Sequence, residues 1–173
     1  LSESGTNANT TYTAGTGSAN SGDTYSFGAT NSTERALGGL QSGSLVPTIG
    51  ASFTNSTGGT ITSLAISYDG EQWRFGGVHS TVADKMDFQI SFDATSLTTG
   101  TWIDVNTLDF SPPVTSGTAG ALDGNLAANH VSIANTISSL TIASGATFWI
   151  RWVDTDATSS DDGLAIDNFS ITP

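Results

Sequence analysis

The chain of 173 residues lacks cysteine, has only four Lys and Arg residues, and has no apolar run long enough to cross a membrane. Without cysteine it is not a disulfide-stapled domain, and its length is sufficient for a core that sustains folding. The basic residues stand against 16 Asp and Glu, which gives a formal net charge of −12. Because Lys and Arg bind phosphate backbones, we expect no direct nucleic-acid partner. We also expect no membrane span and no signal peptide within the segment.

The scarcity of charged side chains, 12% of the sequence, and the 20 glycines argue against helices. Short runs of alternating apolar and polar residues, separated by Gly, Asn, Asp and Ser clusters, predict strands instead. The clearest run covers residues 85–93, and only residues 122–129 have the composition of a helical turn. About eight to ten such runs predict an all-β fold, a two-sheet antiparallel β-sandwich of the jelly-roll type, concanavalin-like or galactose-binding-like.

Residues 1–20 are almost wholly small and polar. We interpret them as an N-terminal arm or edge segment, and residues 21–173 as a single jelly-roll domain. Exposed sheet edges accept strands through backbone hydrogen bonds. The arm is therefore also a candidate for self-association, by adding as a strand to a neighbouring copy.

The sequence does not indicate a catalytic site. His79 and His130 lie in polar contexts without the G-x-S-x-G elbow of a serine nucleophile. Glycoside hydrolysis requires two carboxylates that face each other across a cleft. The nearest candidates lie beside turn glycines or in loops rather than within strands: Asp69 with Glu71, and Asp154 with Asp156. We predict that the protein is not an enzyme, and a glycan hydrolase is kept as an alternative.

Acidic, lysine-poor chains are common outside the cell, where calcium neutralises carboxylates. Residues 154–163 gather four candidate calcium ligands, Asp154, Asp156, Asp161 and Asp162, and the alternative for this segment is a solvated turn. Asp167 is a further candidate, because strand periodicity places it on the same face as Phe169 and Ile171, where an unpaired charge is costly. Calcium would satisfy Asp167, and so would Arg35 or backbone amides. We predict a structural calcium ion.

Carbohydrate sites combine an aromatic platform with planar polar side chains. Both types occur in the tetrad Glu71, Gln72, Trp73 and Arg74. On a strand, Glu71 and Trp73 point away from Gln72 and Arg74, so one of these pairs faces a ligand. The alternative is that Trp73 belongs to the core. Weaker platform candidates are Trp102 and one member of the pair Trp149 and Trp152, which lie on opposite faces of one strand.

Several segments resemble known extracellular modules. Residues 161–171 resemble the terminal strand of jelly-roll domains of the MAM, cleaved-adhesin and concanavalin-like type. Longer runs resemble an accessory domain of large secreted bacterial proteins, whose hosts include extracellular nucleases, phosphoesterases and surface-anchored proteins; these runs are 22–28, 33–38, 67–74 and 148–152. The resemblance covers nearly the whole chain.

This resemblance implies a binding, adhesive or assembly role, with catalytic modules elsewhere. We predict an extracellular, non-catalytic module for recognition or adhesion, secreted or at a cell surface, whose partner is a polysaccharide or cell-surface glycan. The resemblance also implies a structural calcium bound by Asp167 together with acidic residues of a first strand. The chain begins after the point where relatives usually have a Gly-Trp-containing first strand, so we expect part of that metal shell to be absent or to be filled by another chain. The main alternative is a structural subunit of an extracellular fibre or surface layer that assembles by strand addition.

Overall fold

The computed structural model describes all 173 residues and is nearly all β. A single turn of 3-10 helix spans Asn106–Leu108. The strands are β1 (Ser2–Ser4), β2 (Thr13–Gly15), β3 (Asp23–Phe27), β4 (Ala36–Leu40), β5 (Val46–Thr54), β6 (Leu64–Phe75), β7 (Met86–Ser91), β8 (Ile103–Asp104), β9 (Gly120–Ala121), β10 (His130–Ile137), β11 (Thr147–Asp154) and β12 (Gly163–Thr172). No helix is long and apolar enough to cross a membrane.

The strands form two sheets, which confirms the predicted β-sandwich. The five-stranded sheet has the order β1-β5-β11-β7-β8, and the seven-stranded sheet has the order β10-β6-β12-β4-β3-β2, with β9 added beside β6. Neighbouring strands are antiparallel except β2 and β3, which pair in parallel. Residues 122–129 form turns and no helix.

The main core lies between the sheets and follows from the period-two patterning of the central strands. In β11, Phe148, Ile150 and Trp152 face this core, and Trp149 faces outward. The Trp152 ring makes an edge contact with Tyr68 of β6, with 5.2 Å between ring centroids. Trp152 is therefore the core member of the predicted Trp149 and Trp152 pair.

A second, smaller core covers part of the outer face of the seven-stranded sheet. Its members are Tyr25, Phe27, Ala36, Leu40, Trp73 and Ala165. The Trp73 ring stacks on Phe27 with 6.1 Å between centroids, and only 1% of the residue is exposed. The turn segment 122–129 closes over the ring, because a Cβ atom at Gly124 would overlap the Trp73 indole. This end of the outer face is therefore unavailable to a ligand.

Residues 1–20 lie along both sheet edges of their own chain. β1 pairs with β5, and β2 pairs with β3. The Glu3 carboxylate accepts hydrogen bonds from the Thr24 backbone N–H at 2.8 Å and from the Thr24 hydroxyl at 2.7 Å. The segment thus adds a short strand to each sheet.

Candidate functional site

The tetrad predicted to bind a ligand lies within β6 and is mostly buried. Glu71 is 3% exposed and Gln72 is fully buried. Trp73 Nε1 donates to Glu71 Oε2 at 2.7 Å, and Gln72 Nε2 donates to Asp162 Oδ2 at 2.9 Å. Arg74 is partly exposed and donates to the Gly17 carbonyl at 3.2 Å. The platform role of Trp73 is therefore wrong, because neither ring face reaches solvent, and the alternative of a core residue is the observed one.

The outer face of the five-stranded sheet carries a partly exposed tryptophan. Trp149 points outward from β11, between Ser52 of β5 and Ser91 of β7. It borders a shallow recess of about 350 Å³, whose other walls include Ser96, Leu97 and Thr98. Trp149 therefore lines a recess on the outer face of this sheet.

A row of planar polar side chains crosses the same face beside Trp149. Arg151 Nε donates to Gln89 Oε1 at 2.7 Å, and Gln89 Nε2 donates to Asp104 Oδ1 at 2.7 Å. Arg151 Nη1 donates to the Leu97 carbonyl at 2.5 Å, and the guanidinium carbon lies 3.9 Å from the centroid of the Trp102 ring. These contacts hold the Arg151 guanidinium in a fixed orientation. The guanidinium, the Gln89 amide and the Asp104 carboxylate thus form a hydrogen-bonded row on this face.

Asp167 lies on the outer face of the seven-stranded sheet and not on the face of Phe169 and Ile171. The register of β12 against β6 shifts between Asp167 and Ser170, and Asn168 has a φ of 50°. This bulge reverses the inward and outward alternation of the strand. Phe169 and Ile171 pack on the main core. The periodicity argument that placed Asp167 with them is therefore wrong.

On that outer face Asp167 lies with Glu34 and Glu71. One ligand atom of each carboxylate lies within 4.8 Å of the others. Burial raises the pKa of Glu71 to about 7, and the nearby charges of Asp167 and Glu34 act in the same direction, while the Trp73 indole opposes the shift. The group offers only oxygen donors, which calcium prefers.

Asp69 and Glu71 lie two residues apart within β6, on its outer face, and not beside a turn as expected from the sequence. Gly70 between them packs against the Phe110 ring, where a Cβ atom would overlap. A pair of carboxylates on one strand face is the type of pair that glycoside hydrolysis requires. However, the Glu71 carboxylate is buried under Trp73 and its neighbours, so a sugar ring has no access to it.

A second group of acids is buried at one end of the sandwich. It combines Asp154 at the end of β11 and Asp162 just before β12 with two residues of the β6–β7 connection, Asp84 and His79. The exposed fractions of Asp84, Asp154 and Asp162 are 0%, 2% and 0%. The one ion-pair contact is between His79 Nε2 and Asp162 Oδ1 at 3.5 Å. Several buried carboxylates thus share a single basic neighbour.

Hydrogen bonds satisfy only part of this cluster. Asp162 Oδ1 accepts from the Gly76 N–H at 2.6 Å, and Asp84 Oδ2 accepts from the Asp162 N–H at 2.6 Å. Asp84 Oδ1, both carboxylate oxygens of Asp154 and Nε2 of His79 have no hydrogen-bond partner. Buried polar atoms without partners are costly, so these atoms require a proton or a cation.

The protonation of the buried acids reflects their environment. Burial raises the pKa of Asp84 to about 7, and the charge of Asp162 acts in the same direction. Burial and the charge of Asp84 raise the pKa of Asp154. Burial also raises the pKa of Asp161, whose Oδ1 accepts from the Ala157 N–H at 3.0 Å. Asp156, the other predicted ligand of this segment, is exposed to solvent.

No protein-family model matches the sequence, and a search of curated proteins finds no significant match. Among solved structures, the chain is similar to the module TmCBM61 in complex with β-1,4-galactotriose, with a TM-score of 0.41 and 12% identity over 82% of this chain and 72% of that chain. It is also similar to a CBM4 structure, with a TM-score of 0.38 and 13% identity over 79% of this chain and 82% of that chain. Both are carbohydrate-binding modules. Similarity at this level transfers no ligand to this chain.

Sequence reasoning missed six contributors to these sites: Glu34, His79, Asp84, Gln89, Asp104 and Arg151. A local signal existed for two of them. Gln89 occupies a polar position of an alternating strand, and Arg151 interrupts an otherwise apolar one two residues after Trp149. Polar residues on the outward phase of adjacent central strands indicate a shared surface. No local pattern marks His79 or Asp84.

Proposed function

We propose that this chain is a non-catalytic extracellular recognition module that binds polysaccharide or cell-surface glycan on the outer face of its five-stranded sheet. The observation that carries the proposal is the partly exposed ring of Trp149 beside the fixed row of Arg151, Gln89 and Asp104. An aromatic face and planar hydrogen-bonding groups are the two elements from which sugar sites are built.

In this arrangement a pyranose ring stacks on Trp149 and its hydroxyl groups bond to the polar row. Such stacking contributes about 0.5–1.5 kcal/mol beyond area burial. The recess is shallow, so one sugar unit contributes little binding free energy. Several units along a polysaccharide chain must therefore contribute together. We therefore expect weak binding to single sugars and stronger retention by polymers, through multivalency.

The proposal is tested by affinity electrophoresis against a panel of soluble polysaccharides. Trp149→Ala should lose retention on the polysaccharide that slows the wild type and should keep its melting temperature within a few degrees. The matched control is Tyr12→Ala, which removes an aromatic ring that is 57% exposed elsewhere on the molecule. Retention unchanged by Trp149→Ala, or lost equally in Tyr12→Ala, would reject this surface.

We also propose that calcium stabilises the module at Glu34, Glu71 and Asp167. These residues suit the ion because they converge with oxygen donors alone, and an ionised Glu71 at neutral pH needs a nearby positive charge. Bound calcium would tie the segment before β4 to the centre of the sheet.

Two alternatives have less support. A glycan hydrolase at Asp69 and Glu71 conflicts with the burial of Glu71. Fibre assembly by exchange of residues 1–20 would require β1 and β2 to leave β5 and β3, with which they pair in their own chain. Electron microscopy of the native material tests the fibre alternative.

A further inference from the structure

We propose that His79, Asp84 and Asp162, with Asp154 beside them, form a buried binding site for a first-row transition-metal dication, best fitted by Zn²⁺. One ligand atom of His79, Asp84 and Asp162 lies within 4.8 Å of the other two. This site is separate from the glycan surface and from the calcium proposed at Asp167, and it depends on neither.

The tautomer of His79 supports the proposal. Its Nδ1 lies 2.8 Å from the Thr158 carbonyl oxygen, which can only accept a hydrogen bond. Nδ1 therefore carries a proton, and in neutral imidazole Nε2 holds a lone pair. That Nε2 is buried, lacks a partner and lies 3.5 Å from Asp162 Oδ1, another acceptor. Metal-bound histidines typically donate the other ring N–H to a carbonyl or carboxylate, as His79 does here.

The unpartnered oxygens supply the second line of support. Asp84 is 0% exposed and its Oδ1 has no partner, and Asp154 is 2% exposed with neither oxygen partnered. No Lys or Arg forms an ion pair with these residues, since Lys85 pairs with Asp87 and Asp109. A dication would balance two of the buried negative charges and occupy the lone pairs that hydrogen bonds leave free.

The donor set selects the class of metal. One imidazole nitrogen and two or three carboxylate oxygens match the four-coordinate N and O sites of zinc. Calcium takes six to eight oxygens and has no preference for imidazole. The Asp162 oxygens also accept hydrogen bonds from Gly76 and Gln72, and these bonds hold the carboxylate in a fixed orientation.

The position of the site gives the metal a structural role. His79 and Asp84 belong to the β6–β7 connection, and Asp162 ends the β11–β12 connection. Hydrogen bonds of Thr158 already link the two segments: its N–H donates to the Val82 carbonyl at 3.1 Å, and its Oγ1 accepts from the Val82 N–H at 3.0 Å. A metal bridging them would add a further link between these two connections.

The competing arrangement is metal-free, with an imidazolium at His79 and protons shared among the acids. The groups that face the site are Asp154 and Asp161 from the β11–β12 side, Gln41 after β4 and Gln72 of β6. Both arrangements reduce the negative charge of the cluster, but only the metal site binds cobalt with the visible spectrum of a four-coordinate ion.

The test uses the full chain stripped of metal by a chelator and then dialysed. Zn²⁺, Co²⁺ and Ca²⁺ are titrated separately at pH 7.5 by calorimetry, and Co²⁺ binding is also followed by visible absorption. We expect one Zn²⁺ per chain, a higher melting temperature, and a Co²⁺ spectrum of tetrahedral intensity that Zn²⁺ displaces. His79→Gln should weaken Zn²⁺ binding at least tenfold, and the control His130→Gln should leave it unchanged.

Absence of Zn²⁺ and Co²⁺ binding to the wild type would overturn the proposal, as would Zn²⁺ binding that is unchanged in His79→Gln. Calcium binding at this end that survives His79→Gln would also overturn it. If His79→Gln fails to fold, the Co²⁺ spectrum of the wild type decides, because the intense visible bands of four-coordinate Co²⁺ require a closed site, whereas hydrated Co²⁺ on exposed carboxylates absorbs weakly and would overturn the proposal. Asp167→Asn should leave all Zn²⁺ results intact, which separates this site from the proposed calcium site.

Discussion

The two outer faces of the sandwich carry tryptophans in opposite environments. Trp73 and Trp149 both point outward from central strands, β6 and β11. Trp73 is 1% exposed because β3, β4 and residues 122–129 cover it, whereas Trp149 remains partly open. Segments remote in the sequence therefore decide whether an outward aromatic side chain becomes a core residue or a binding platform.

The largest expected difference between the faces is in stability. Trp73→Ala should lower the free energy of unfolding by about 3–5 kcal/mol, because it empties a packed site. Trp149→Ala should cost less than about 1 kcal/mol. Urea denaturation of both variants measures the contrast. Equal losses of unfolding free energy would mean that Trp149 is as buried as Trp73 and would contradict the difference between the two faces.

Calcium should act on the covered face alone. At a hundredfold excess over its Kd, the ion adds about 2.7 kcal/mol to the free energy of unfolding. Calcium returned to stripped protein should raise the melting temperature of the wild type and of Asp156→Asn, whose carboxylate is exposed. Asp167→Asn should show no rise. A rise of wild-type size in Asp167→Asn would exclude this site.

The cover over Trp73 can be disturbed without touching the ring. Gly124→Ala places a methyl group against the indole and should cost about 1–3 kcal/mol through overpacking. Gly120→Ala is the matched control, because no atom lies within 4 Å of its added Cβ. Thermal melts of the two variants are compared. Identical melting temperatures would show that residues 122–129 do not press on the ring.

The smallest expected effect concerns the polar row of the open face. Gln89→Ala removes the side chain that links Arg151 to Asp104 and should weaken polysaccharide retention by about fivefold, the value of one hydrogen bond near 1 kcal/mol. The control, Thr136→Ala, changes an exposed position of β10 on the other sheet. Equal polysaccharide retention by the two variants would show that the polar row does not contribute to binding.

The fold class could be predicted from sequence because period-two alternation is a local property of each strand. Strand boundaries were harder to predict. Gly70 resembles a turn residue in the sequence, but β6 continues through it from Leu64 to Phe75, because Gly70 packs closely on Phe110 and makes no turn. The face of Asp167 was predicted wrongly, because the bulge at Asn168 reverses the alternation without a recognisable signal in the sequence.

The sites depended on contacts that only the folded chain shows. The cover of Trp73 comes from residues 122–129, about fifty positions further along the chain. The buried acid cluster unites Asp84 with Asp154 and Asp162, and neither partner is a neighbour of Asp84 in sequence. The acid-rich composition indicated a bound cation and favoured calcium. The geometry of His79, which only the folded chain shows, led us to propose zinc for this cluster instead.

The most direct test of the glycan surface uses the indole N–H signals of the four tryptophans in ¹⁵N NMR. Titration with an oligosaccharide of the retained polysaccharide should shift the Trp149 signal, and the neighbouring Trp102 signal to a smaller extent. The Trp73 and Trp152 signals should stay in place, because both rings are buried. A shift at Trp73 with Trp149 unchanged would contradict the assignment of the binding face.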